Sequence, residues 1–458
     1  MKRFLILAAI SISALANQAS ADEPLDIGSR LELFVDDYLV AELKGAAERK
    51  LQLPEPREVV LVTDQPWEGN TCAYYTIFQD GDLYRMYYRG SHADEKTQKA
   101  LHPEVACYAE SKDGIHWTRP ELGLFEFEGS KANNIIYTGS YAHNFTPFKD
   151  LNPQAAEDAK YKAMGVGKGL FAFKSPDGIH WKPLQDAAVI TDGAFDSQNL
   201  AFWDPQIKAY REYHRGFVEG VRAIMTGTSQ DFVNWTDPVY LKYPAAANEH
   251  LYTNTIRTYE RAPHMLIGFP TRYQPKNSQV EPIFMSSRDG LTFQRWSDPV
   301  IPITAPEDRD GNRSNYMTWG LVRLPGDDKH YSVYATEAYY AGQDSRLRRF
   351  TYRVDGFVSL HAGKEGGELI TKPLKFAGDD LVLNFVTADG GSVRVELQDL
   401  NGKPIDGFSL NDSQPLTGDN LEQKVSWKSD ADLSKLAGKA IRLRFALSDA
   451  DVYSLRFR

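Results

Sequence analysis

Several signatures that would fix an activity are missing. The 458 residues hold no Walker loop, no Gly-x-Ser-x-Gly elbow, no dinucleotide-binding glycine fingerprint and no cysteine–histidine spacing of a zinc site, so P-loop, α/β-hydrolase and nicotinamide chemistries lose their usual sequence support. Cysteine is scarce: Cys72 and Cys107 are the only two. Positive charge is in deficit, with 52 basic against 62 acidic residues and a formal charge of −10. That balance argues against nucleic acid or an anionic lipid surface as partner. Long apolar runs are missing too. The one near the start, Phe4 to Ala16, is shorter than the ~20 residues a bilayer-spanning helix needs, so no membrane insertion is expected. Lys2-Arg3 before it and Ala19-Ser20-Ala21 after it read as a secretory signal peptide cleaved after Ala21, which predicts a secreted or periplasmic protein. Loss of Lys2 and Arg3 with the leader takes the formal charge from −10 to −12.

What is present is repetition. Ser-x-Asp-Gly-Ile-His-Trp occurs at Ser111–Trp117 and Ser175–Trp181, with looser copies at Ser229–Trp235 and Ser287–Phe293 and an echo at Val354–Phe357. The aspartates fall at 113, 177, 231, 289 and 355, a spacing of one propeller blade. Asp-Gly supplies the positive-φ position of a tight turn between strands. A second marker is an asparagine opening another strand: Asn70, Asn144, Asn199, Asn254 and Asn315. Two independent markers count five units, each with an Asn-led strand, a tyrosine-rich strand and the strands around the Asp-Gly turn. Four antiparallel strands make a blade, and one such sheet cannot bury both faces without stacked neighbours. The predicted fold class is all-β, a five-bladed β-propeller over 22–361 followed by a C-terminal β-sandwich over 362–458. The sandwich is read from short alternating strands at Leu381–Val386, Ser392–Leu397, Ile441–Leu447 and Tyr453–Phe457, with turns at Gly390-Gly391 and Asn401-Gly402. Leu31–Val35 is a candidate for an outer strand closing the ring. Cys72 and Cys107 fall on the first and third strands of blade one, roughly two 4.8 Å strand spacings apart, and are expected to stay unpaired.

In a propeller the innermost strands begin around one mouth of the central channel, so the residues just before the asparagines converge there. They include Trp67 and Glu68, His143, Asp196 and Gln198, Glu249, His250 and Tyr252, and Arg313, with Tyr316 and Trp319 following Asn315. Glu68, Asp196 and Glu249 are the candidate catalytic carboxylates, because glycoside hydrolysis needs two carboxyl groups in different protonation states flanking the scissile bond. The binding candidates are Trp67, Asn70, His143, Asn144, Gln198, Asn199, His250, Tyr252, Asn254, Arg313, Asn315, Tyr316 and Trp319. Structural roles compete with these: the asparagines as caps on turn amides, and the carboxylates as partners of Arg257, Arg313 or Arg215 in ion pairs lining the channel. Trp117, Trp181 and Trp235 read as scaffold, and Glu337 is left open between rim and mouth. Asp308-Arg309-Asp310-Gly311-Asn312 has part of a calcium loop's composition without the closing glutamate of an EF-hand; no metal and no cofactor is assigned.

LELFVDDYLV, DQPWEGN, DLYRMYYRG and DADVYSLRF are similar to segments of a large group of secreted proteins labelled glycosyl-hydrolase-like, and the overall plan resembles glycoside hydrolase families 32 and 43. That resemblance implies a base on blade one, a pKa-tuning aspartate on blade two and an acid glutamate on blade three. By position it points to Glu68 as base or nucleophile, with His143 standing in blade two and Asp196 in blade three. The expected function is removal of a terminal sugar from an oligo- or polysaccharide; a non-catalytic carbohydrate-binding or protein-interaction propeller is the alternative.

Overall fold

The computed structural model describes residues 23–458 apart from 245, 302–314 and 429–430. The expected leader at 1–21, Asp308–Asn312 and Arg313 therefore lie outside the described residues. Regular structure among the described residues is β-strand plus three short 3-10 turns. Blade one runs Ala73–Asp80, Leu83–Gly90, Val105–Ser111, Ile135–Thr138 in spatial order. Blade two is Thr146–Lys149, Tyr161–Gly167, Gly169–Ser175, Lys182–Pro183, and blade three is Leu200–Asp204, Ala209–Val218, Val221–Ser229, Val239–Tyr240. In blade four Arg257–Tyr259 is innermost, Ala262–Gly268 and Thr271–Gln274 share the second position, and Gln279–Ser287 and Phe293–Pro299 complete the sheet. Blade five pairs His330–Glu337 with Arg346–Arg353; its inner strand is reduced to bridges at Met317–Ala335 and Val322–Ser332.

Period-two alternation explains how one blade packs on two neighbours. In Leu83–Gly90, Tyr84, Met86 and Tyr88 enter a core shared with Val322, Tyr334 and Leu347 of blade five. Tyr87, between them, enters a core with Ala163 and Phe173 of blade two. Each buried ring removes enough apolar surface to contribute about 2–3 kcal/mol.

The Asp-Gly repeat is a folded unit seen four times. Ser111, Ser175, Ser229 and Ser287 each bond the aspartate two residues on through Oγ, at 2.9–3.1 Å, while that aspartate's Oδ1 accepts two further backbone amides. The residue after each aspartate has positive φ, 71° at Gly114 and 68° at Phe232. Glycine at this position also lets the turn press on the preceding blade: a Cβ on Gly114 would lie 2.4 Å from Leu324, and one on Gly178 2.5 Å from the Tyr87 hydroxyl. Trp117, Trp181 and Trp235 each donate from Nε1 back to their own turn, a scaffold role.

The ring is closed by a segment other than Leu31–Val35. Glu55–Val62 is the outermost strand of blade five, paired with Arg346–Arg353, and its Leu61 enters the core between blades five and one. Leu31–Val35 lies between the two halves instead: Glu32 and Leu33 pair with the C-terminal strand, Leu31, Leu33 and Val35 point into a core with blades four and five, and Phe34 points into the sandwich core. The strands Val40–Gly45 and Glu48–Leu51 likewise pair into the C-terminal sheet, as does Val358–Ala362. That sheet therefore takes in residues the sequence assigned to the propeller, because an edge left open by the C-terminal strands is covered by the N-terminal ones. Its short expected strands are also longer. Leu381–Gln398 is continuous through a register shift between Thr387 and Ser392, and Arg442–Phe457 pairs along it. Cys72 and Cys107 are buried free thiols.

Candidate functional site

The asparagines sit where the inner strands begin and are fully buried. Asn70 exchanges bonds with the Ala93 backbone and donates to the Gly342 carbonyl; Asn144 and Asn199 donate to the Phe195 carbonyl, and Asn254 to that of Tyr213. Asn315 is buried as well. These side chains pin the loops that form the mouth, and the bonds of Asn70, Asn144, Asn199 and Asn254 are spent on backbone rather than aimed at a ligand. Gln198 reaches across the channel to the Tyr75 carbonyl at 3.0 Å.

Over this collar lies a cavity of about 730 Å³ lined from all five blades: Arg89 and Glu104, His143, Asp196, Tyr252, and Tyr316 among them. Its chemical centre is a chain of groups. His143 Nδ1 is 2.5 Å from Glu104 Oε2, and its Nε2 is 3.1 Å from Asp196 Oδ1. Arg89 stands 3.5 Å behind Glu104, and Arg215 3.8 Å behind Asp196. Hydrogen bonds to Asp196 and then Glu104 raise the His143 pKa to about 9, so the ring is an imidazolium at neutral pH. The bond from His143 holds the Asp196 carboxyl below its usual range, with Arg215 adding to it against burial. Burial would raise Glu104, but the His143 bond and the Arg89 charge outweigh it and keep it low.

The wall is phenolic. Tyr252, Tyr316, Tyr339 and Tyr340 follow one another edge to face, with centroids 4.7–5.8 Å apart. Arg89 stacks over Tyr74 at 4.8 Å and donates to the Tyr339 hydroxyl at 2.9 Å. Burial raises the pKa of Tyr74 and Tyr316, which leaves them as neutral hydroxyl donors. Tyr74 and Tyr340, both in the lining, carry φ of 58° and 59°. A large side chain in that region costs about 1–3 kcal/mol, strain of the kind that gathers at functional sites.

The structure divides the candidates. His143, Asp196, Tyr252 and Tyr316 meet at the mouth; His250 flanks it, 6.0 Å from Tyr273 and beside Arg222, and burial together with that arginine lowers its pKa. Glu68 does not line the cavity. It is 1% exposed, clamped by Arg119 with two bonds of 2.9 Å and by the Tyr88 hydroxyl at 2.5 Å; burial raises its pKa against those partners. Glu249 is held by Arg272 and Arg295, each at 3.0 Å. Both follow the ion-pair alternative, with partners other than those expected. Trp67 donates to Asn134. Trp319 donates to the Ile256 carbonyl and lines a cavity at the other end of the channel. Glu337 is buried against Arg346 and Arg348.

Arg89 and Glu104 were missed. The signal was topological: the second strand runs antiparallel to the inner one, so its last residues and the first of the third strand also arrive at the mouth. Arg89 pairs in register with Ala73, three residues past Asn70.

The fold and site define a five-bladed propeller with a charged, tyrosine-walled mouth. No family model matches the chain. Two uncharacterized proteins from two strains of Mycobacterium tuberculosis are 24% identical over 139 residues and 26% identical over 140; each match takes in 29% of this chain and 41% of the other, so the chain spans under half the length of these curated relatives. Among solved structures it is similar to an α-L-arabinofuranosidase from Podospora anserina in complex with cellotriose, with a TM-score of 0.47 and 9% identity over 66% of this chain and 96% of that one. It is also similar to a β-1,2-mannobiose phosphorylase from Listeria innocua, at 0.44 and 11% over 67% and 97%. A third is an N-acetylgalactosamine deacetylase from F. plautii in complex with blood group B trisaccharide, at 0.43 and 11% over 68% and 97%.

Proposed function

We propose that the protein is a secreted glycoside hydrolase that cleaves a terminal sugar in the mouth cavity, with Asp196 and Glu104 as its two carboxyl groups and His143 holding the proton between them. One observation carries the reading: among the described residues lining the cavity, Glu104 and Asp196 are the only carboxylates, and they bond opposite nitrogens of one imidazolium. The leader at residues 1–21 supports export. Hydrolysis needs one carboxyl protonated and one ionised. Asp196 is the more exposed, 61% against 29% for the Glu104 side chain, so a sugar covering the mouth desolvates Asp196 most and raises its proton affinity. The proton then passes from His143 Nε2 to Asp196 and on to the leaving glycosidic oxygen. Glu104, kept ionised by Arg89, serves as base toward water or as nucleophile. The tyrosine rings offer stacking faces for the sugar.

The test is hydrolysis of a panel of natural oligo- and polysaccharides by wild type, Asp196→Asn, Glu104→Gln and His143→Gln, with melting temperatures matched. Loss of a positioned general acid or base lowers kcat by about 10²–10⁴. An aryl glycoside, whose leaving group needs no proton, restores turnover in Asp196→Asn and His143→Gln but not in Glu104→Gln. The second reading, a sugar-binding mouth without turnover, is favoured by the fact that both carboxyl groups are held low; saccharide binding without hydrolysis by wild type selects it.

A further inference from the structure

The channel has a second end, where an arginine has no carboxylate in direct contact. Phe148, Phe202, Trp319 and Leu321 wall a cavity of about 300 Å³ at the far ends of the inner strands. Arg257, the first residue of blade four's inner strand, lines it and also an adjoining cavity of about 790 Å³. The Nε of Arg257 is enclosed and has no hydrogen-bond partner, and its Nη1 reaches only the Leu321 carbonyl, at 3.3 Å. Glu260, lining both cavities, exerts an attraction from a distance, while its Oε1 accepts the Tyr331 hydroxyl at 2.5 Å. Burial outweighs that attraction and lowers the Arg257 pKa. Arg222 and Arg442 share this orphaned Nε, whereas Arg119, Arg211, Arg272 and Arg288 each hold a carboxylate at 3.0 Å or closer.

A guanidinium partly withdrawn from water with no carboxylate in contact is costly, and a fold keeps one only where something else offsets the cost. A concave cavity walled by aromatic and aliphatic side chains and lined also by Lys149, Arg257 and Arg323 against the single carboxylate Glu260 has the chemistry of a small-molecule site. Arginine is suited to a carboxylate because its fork of donors matches the two oxygens.

We propose that the far end of the channel is a second ligand site, separate from the mouth, which binds a small monoanion with an apolar body, an aromatic or branched aliphatic carboxylate. Its carboxylate pairs with Arg257, and its body packs against Phe202 and Trp319. The site does not depend on the hydrolase reading of the mouth.

Sodium benzoate is the probe, titrated calorimetrically into the full-length protein at fixed ionic strength, with benzyl alcohol as the neutral analogue. Benzoate is expected to bind wild type, to bind Arg257→Met and Arg257→Gln at least tenfold more weakly, and to bind His143→Gln as it binds wild type; benzyl alcohol binds at least tenfold more weakly than benzoate. Failure of wild type to bind benzoate, equal binding by the Arg257 variants, or loss of binding in His143→Gln overturns the proposal. A second readout separates ligand binding from scaffold. Ligand-free Arg257→Met is expected to melt at or above the wild-type temperature, since it removes a half-buried charge with no carboxylate in contact, and a melt well below it assigns Arg257 to the framework and also overturns the proposal.

Discussion

His143 Nε2 lies 3.1 Å from Asp196 Oδ1, while the opposite face of the same ring is fixed by Glu104. This bond joins blade two to blade three at the mouth and gives a histidine that stays charged well above its ordinary range.

That charge makes stability depend on pH in a defined window. The folded pKa of about 9 exceeds the ordinary 6.5, so the folded protein binds the proton more tightly than the unfolded chain. The contribution is complete below about 6.5 and is lost as pH rises through about 9. Histidine NMR is expected to show His143 titrating near 9, and His143→Gln is expected to flatten the wild-type fall in melting temperature between pH 6.5 and 9. On the proposed mechanism kcat/KM also falls above about pH 9.

Glu68 belongs to the framework. Replacing it by glutamine removes the nearer of Arg119's two carboxylate partners and leaves Asp64 at 3.7 Å; breaking a buried pair costs up to about 3–5 kcal/mol. Thermal denaturation of Glu68→Gln is expected to show a clear loss of stability, with kcat per folded molecule within about threefold of wild type. Glu249→Gln is expected to follow the same pattern more mildly, since Glu249 is partly exposed.

The four serine–aspartate turns set the acid limit. At Asp231 the Asn234 and Val233 amides and the Asn234 side chain overcome partial burial and hold the pKa at about 2. A depressed carboxyl stabilises the fold above its ordinary pKa near 3.8, and the contribution disappears as pH falls through about 2. Asp231→Ala, measured by melting at pH 7 and at pH 2.5, is expected to cost about 1–2 kcal/mol at pH 7 and less at the lower pH.

Two glycines separate steric from conformational cost. Gly114 and Gly220 have similar positive φ, 71° and 82°, but a Cβ on Gly114 meets Leu324 at 2.4 Å while one on Gly220 meets nothing within 4 Å. Gly220→Ala is expected to cost about 1 kcal/mol from backbone strain alone. Gly114→Ala adds overpacking between blades one and five and is expected to cost about 2–5 kcal/mol; urea denaturation of both variants checks the difference.

The fold was legible because the repeat is local chemistry. A serine, an aspartate and a positive-φ residue within four positions make the same turn wherever they occur, and a buried asparagine marks each inner strand. Partnerships over long sequence distances were not legible. Glu55–Val62 closes a ring whose other edge lies some 290 residues later at Arg346–Arg353, and nothing local distinguishes it from Leu31–Val35. The site was half legible for the same reason. Asp196 and His143 follow from position before the asparagines. Glu68 shares that position, yet Arg119, fifty-one residues on, turns its carboxylate away from the mouth; Glu104 enters from the start of a third strand, where no repeat marks it.

The most direct test of the account is hydrolysis of a natural saccharide panel by wild type, Asp196→Asn, Glu104→Gln and Glu68→Gln, scored per folded molecule. The account predicts turnover by wild type, a loss of at least a hundredfold in the Asp196 and Glu104 variants, and near-normal kcat in Glu68→Gln. Abolition of turnover in Glu68→Gln with Asp196→Asn and Glu104→Gln unaffected would contradict it.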